Sequence, residues 1–163
     1  MKVLVLSITG LFLMLLQASI SFHFSIDLFK PDFAIPLVIY VTFFMGAGPG
    51  FVTVLCVGFI EESLSIAPAG SIMFVLVSIF LITTFMKNKL YIDSRYSFAA
   101  VSSVAIVLES LLILMLSLLA RGEAPNALHI LLYAIPSALS TGLVSLFIYT
   151  FIEYLNAAYL DRE

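Results

Sequence analysis

Residues Phe33 to Ile60 read FAIPLVIYVTFFMGAGPGFVTVLCVGFI, 28 residues without a charge. As one α-helix this run would be about 42 Å long, well beyond a hydrocarbon core of about 30 Å. Gly46-Ala47-Gly48-Pro49-Gly50 lies at its middle, and three glycines with a proline break a helix. The run therefore predicts two short helices, 33–45 and 51–60, joined by a tight turn.

Four more apolar runs surround this one, at 3–22, 71–86, 98–120 and 127–154. The chain is 63% hydrophobic, and only 10% of its 163 residues are charged. A soluble domain would be about half apolar and about a quarter charged, so a soluble fold is excluded. The longest polar stretch, 87–97, is too short to fold alone. The reading is an all-α integral membrane protein, a six-span helical bundle forming a single transmembrane domain over 1–163.

The charges test this span count independently, because Lys and Arg near span ends favour the cytoplasm. Six spans with the N-terminus inside put Lys2, Lys87, Lys89, Arg95 and Arg162 on the inner side and Lys30 and Arg121 on the outer. Merging 33–45 with 51–60 into one span would reverse that bias. A re-entrant hairpin would preserve it. Tyr91, Tyr96, Tyr154 and Tyr159 fit an aromatic belt at the inner interface. Lys2 followed by an apolar run resembles a signal peptide, but the uncharged stretch continues past Ile20, which favours an uncleaved first span.

A net charge of −3 with no Lys/Arg-rich run argues against nucleic acid. The single cysteine, Cys56, excludes a disulfide framework. His23 and His129 have no close-spaced ligand partners, so neither a metal nor another cofactor is expected. The motifs HExxH, GxSxG, GxGxxG and the Walker loop are all missing, and nothing arranges a nucleophile with a base.

The few polar groups inside apolar runs therefore stand out. Glu109 is near the middle of 98–120, where a charge costs at least about 2.5 kcal/mol. It is expected to pair with a neighbouring hydroxyl, from among Ser102, Ser103, Ser110, Ser137, Ser140 and Thr141, or else to form a proton or ligand site. Glu61 and Glu62 adjoin on a helix and point about 100° apart, so they cannot share a proton. One is expected at the outer interface and the other on the following turn. Ala134, Ala138 and Gly142 recur every four residues, a spacing that lets helix backbones approach closely in lipid, and Pro136 is expected to kink the same segment. Gly50 and Gly58 offer a second face of this kind.

Two stretches carry a resemblance. Lys30-Pro31-Asp32 opens the second segment, while Gly50-Phe51 through Gly58-Phe59-Ile60-Glu61-Glu62, followed by Ala69-Gly70, closes the third. This order resembles the bacterial rod shape-determining protein MreD family, with its basic-Pro-Asp entry, Gly-rich turn, G-F…G-L-x-x-D stretch and small-residue turn. Here Phe59 stands where Leu is usual, and Glu62 replaces Asp, with a reach longer by one methylene.

The resemblance implies a non-enzymatic scaffold of cell elongation in the bacterial inner membrane, with both termini cytoplasmic. Its implied partners are MreC and, through the complex, MreB, RodA and a class B penicillin-binding protein. The family is also similar in fold to the S-components of energy-coupling-factor transporters, which supplies the alternative of a small-solute-binding subunit. Candidate surfaces for the membrane helix of MreC are the Ala134/Ala138/Gly142 face and the Gly50/Gly58 face.

Overall fold

The computed structural model describes residues 2–23, 31–65, 67–90, 92–121 and 127–157. Asp27, Lys30, Tyr91, Glu123, Tyr159 and Arg162 lie outside them, as do the side chains of Lys2, His23, Arg121 and His129. The regular structure is helical: α1 (Lys2–His23), α2 (Ala34–Phe44), α3 (Ala47–Leu64), α4 (Ser71–Met86), α5 (Arg95–Arg121) and α6 (Ala127–Leu155). Among the described residues, α1, α3, α5 and α6 are each long and apolar enough to cross a membrane.

The third helix corrects the sequence reading. It occupies 47–64 instead of 51–60, and its 18 residues reach about 27 Å. The Gly/Pro cluster does not lie between helices but starts one: with Gly46 as N-cap, Pro49 falls in the first turn, where its missing N–H interrupts no bond. The chain turns over Met45 and Gly46 alone, both extended. α2, with 11 residues and about 16 Å, is well short of a span, and α4, with 16 residues and about 24 Å, is also shorter than the four.

Helix directions follow from the close contacts. Leu37 of α2 and Val57 of α3 meet at Gly10 of α1, while Gly50 near the start of α3 meets Val41 near the end of α2. Gly58 meets Met73 of α4, Gly50 meets Phe80, and Gly142 of α6 meets Ser103 of α5. α2, α3 and α4 therefore alternate in direction. Neighbours pack in the order α1, α3, α4, α5, α6, and α2 touches every one of them.

That central position explains the burial of α2. Residues 34 to 42 are all buried, including Ile35, Leu37 and Ile39, which are fully enclosed. The terminal backbone groups of a helix need partners, and those of α2 find several in side chains. At the N-terminus, Asp32 Oδ1 accepts from Ala34 N at 2.7 Å and Ile35 N at 3.2 Å. Gln17 Oε1 of α1 accepts from Phe33 N at 2.8 Å, and Pro36 has no N–H to satisfy. Asp32 is itself held, because its N–H donates to Thr141 Oγ1 of α6 at 2.9 Å. At the other end, Lys87 Nζ donates to Thr42 O at 3.1 Å, placing a cation where the helix dipole is negative. Beside it Tyr40 stacks on Phe44 at 4.7 Å, and Tyr149 meets Phe98 at 5.0 Å.

Asp32→Ala should lower stability by about 1–2 kcal/mol through loss of the cap, while Asp32→Asn, which keeps an acceptor, should cost a few tenths. Thermal unfolding of the two purified variants in one detergent checks this; equal losses would mean that the charge, not the cap, holds α2.

Candidate functional site

The ring helices α1, α5 and α6 span 22, 27 and 29 residues, whereas the helix they enclose has 11. A short centre inside long walls leaves space beyond its end. At the N-terminus of α2 that space is a cavity of about 320 Å³. Gln17 of α1, Pro31 and Asp32 before α2, Glu61 of α3, Glu109 and Ser110 of α5, and Tyr133 and Ser137 of α6 line it, with Ile106, Ile113 and Ile130 between them. We refer to it as the vestibule. Its described lining holds three carboxyl groups and no Lys, Arg or His.

Glu109 also lines a second cavity, of about 290 Å³, between α5 and the start of α4. That cavity is mostly apolar, walled by Pro68, Ile72, Val75, Ile113 and Leu116. Three of the six hydroxyls expected near Glu109 have other partners: Ser110 donates to Ile106 O at 3.0 Å, Ser140 to Ser137 O at 3.0 Å, and Thr141 accepts from the Asp32 N–H. No hydrogen bond joins Ser102 to Glu109: Ser102 is fully buried, with no partner for its hydroxyl among the described residues.

The adjacent carboxylates of α3 separate as their helical angle requires. Glu61 lines the vestibule. Glu62 accepts from the backbone N–H of Gly70 and, at 3.4 Å, from that of Met73, tying the end of α3 to the start of α4. Gly70 has φ +87°, a left-handed conformation that a side chain would strain.

Both small-residue faces are internal. A Cβ on Gly50 would lie 3.2 Å from Phe80 and 3.3 Å from Val41, and one on Gly58 would lie 3.4 Å from the Met73 backbone. Ala134 and Ala138 are buried, and a Cβ on Gly142 would collide with Ser103. These faces bring helices of the same chain together, so neither is free to receive the membrane helix of a partner.

Sequence reasoning named Asp32, Glu61 and Glu109 singly and missed that they share one cavity; it also missed Gln17 and Tyr133. Among the described residues no group of three His, Cys, Asp or Glu side chains is arranged to hold a metal ion. The chain matches no protein-family model, no curated protein and no solved structure.

Glu62→Ala should raise amide hydrogen exchange at Gly70 and Met73 roughly fivefold, as expected for loss of about 1 kcal/mol, while exchange in α2 stays unchanged. Protection at both amides equal to that of the original chain would remove Glu62 from the turn.

Proposed function

We propose that this chain is a non-enzymatic scaffold of the bacterial cell-elongation machinery in the inner membrane, binding MreC and supporting side-wall peptidoglycan synthesis and rod shape. In this reading the six helices form one bundle within the bilayer, with both termini cytoplasmic and the vestibule open to the outer side. The observation that carries it is the position of the residues that align with the MreD pattern, Glu62 standing in place of its Asp. Asp32 caps the central helix, Gly50 and Gly58 admit close contacts, and Glu62 joins Gly70 across a turn. The shared pattern thus coincides with what holds the bundle together.

With the small-residue faces covered, MreC must pack on outward ridges. Leu132, Ile135, Leu139, Leu143 and Phe147 form one on α6, each more than half exposed. Apolar ridges gain little by leaving lipid, so such docking rests on shape and van der Waals contact. Through MreC the complex would include MreB, RodA and a class B penicillin-binding protein. The vestibule favours a second reading, a solute-binding subunit similar to the S-components of energy-coupling-factor transporters, because its convergent polar groups suit a small ligand.

Tagged full-length chain should co-purify MreC from bacterial membranes in mild detergent, and its depletion should turn rods into spheres. Depleted cells that stay rod-shaped would sink the scaffold reading, and uptake of a vitamin dependent on the chain would favour the second. Topology is checked by thiol labelling in a Cys56→Ser background, since Cys56 is exposed. Ser137→Cys should react with an impermeant maleimide from the outer side, and Leu139→Cys, on the outward ridge, should not; reaction from the inner side alone would invert the orientation.

A further inference from the structure

We propose that the groove between α4 and α5 holds one chain of an anionic phospholipid whose phosphate is bound by Lys89 and Arg95. A cavity of about 230 Å³ opens there, walled by Ile39 of the central helix, Ile82 and Met86 of α4, and Ala100, Val104 and Leu108 of α5. Val104 is 68% and Met86 44% exposed, so the cavity opens on the outer surface of the bundle. The one hydroxyl in its described lining is that of Thr83, which donates to Ile79 O at 2.7 Å on its own helix. The wall thus gives a polar solute nothing to bond. An apolar cavity stays dry and takes apolar molecules, and within a membrane the apolar molecule at hand is a lipid chain.

The headgroup follows from the end toward which the groove runs. Leu90 also lines the cavity, and the backbone N–H groups of Lys89 and Leu90 both donate to Met86 O, at 2.8 and 2.9 Å. The turn that carries Lys89 is thereby fixed on the end of α4, beside the cavity. On α5, Tyr96, Ala100 and Val104 follow at four-residue steps and share a face. The Arg95 guanidinium lies 5.4 Å from the centre of the Tyr96 ring, and Arg95 precedes Ala100 by five residues, about 7.5 Å along the helix axis. Lys89 and Arg95 are both exposed, so each wall of the groove supplies a cation at the same end. Lys87 is spent within the fold, on Thr42 O. Across 87–97 Lys87, Lys89 and Arg95 stand against a single acid, Asp93, and this end therefore attracts an anion. Arginine offers phosphate a planar fork of donors, and lysine adds a compact charge. A zwitterionic headgroup carries its own ammonium and gains less from both. A partner helix could fill the cavity but would leave the two cations unanswered.

Lipid binding of this kind does not depend on the scaffold reading. Full-length chain would be placed in nanodiscs of equal phosphatidylglycerol and phosphatidylcholine, with a trace of one or the other carrying a diazirine in an acyl chain, then irradiated and digested. Phosphatidylglycerol should label the peptides covering 82–90 and 100–108 about tenfold more than phosphatidylcholine does, as expected for a charge-assisted contact, while the outward faces of α1 and α6 take both equally. Lys89→Gln combined with Arg95→Gln should abolish that preference. Ala100→Phe, which fills the groove without altering charge, should lower labelling there by either lipid. Variants enter the comparison only with the original helix content and a monodisperse elution. Equal labelling by the two lipids in the original chain, or a preference that survives the double variant, overturns the phosphate contacts. Label spread evenly over all helices, or unchanged by Ala100→Phe, overturns the groove. With Val104 replaced by p-benzoylphenylalanine, irradiation of native membranes should cross-link the chain to lipid; a cross-link to protein instead overturns the lipid as occupant.

Discussion

Asp32 accepts the first free amides of a helix that makes its contacts with protein instead of lipid. The fold depends on that bond, because α2 touches all five other helices and cannot be moved without moving them. In a bilayer the backbone must be satisfied within the protein, each failure costing several kcal/mol. For a spanning helix the ends reach water and the problem solves itself. Too short to span, α2 takes partners from α1 through Gln17, from α6 through Thr141 and from Lys87 beyond α4. The few polar side chains of an apolar chain are thus spent where the backbone ends.

The vestibule is the geometric consequence of the same choice. Extending α2 upward by two turns would fill the space between α1, α5 and α6 and push Asp32 away from Thr141. Its short length places a capping carboxylate at the floor of a cavity whose walls carry two more. Elsewhere several hydroxyls are satisfied on their own helices, as with Thr42 to Val38 O, Thr53 to Pro49 O and Thr83 to Ile79 O. Those groups are neutral toward their surroundings. The polar groups of the vestibule converge, and that sets them apart.

Much of this was legible in the sequence, and the rest was hidden for identifiable reasons. Uncharged runs and their charged borders located six helices, and 71–86 and 127–154 fall on α4 and α6 almost to the residue. The start of α3 was misread because Pro49 was weighed as a breaker, when within the first turn it is harmless. Burial could not be read by periodicity, since α2 and α3 are apolar on every side. Small-residue spacing marked close approach correctly but could not say whether the approaching helix belonged to the same chain. The meeting of Asp32, Glu61 and Glu109 arises from helix direction and packing order, and no spacing along the chain encodes it.

Packing in lipid also explains why glycines matter so much here. Outside the bundle Phe85, Phe147 and Leu119 are among the most exposed residues, so the outer surface is as apolar as the core. Burying one more leucine gains little when lipid tails surround it already. What remains to bind helices is close van der Waals contact and a handful of hydrogen bonds. A glycine at 50, 58 or 142 lets a neighbour approach to distances that a side chain would prevent. Held this way, the bundle keeps its polar groups inward and presents ridges of Leu, Ile and Phe outward. Among the described residues, what the surface offers a membrane partner is the shape of those ridges, and what the interior offers a ligand is the vestibule.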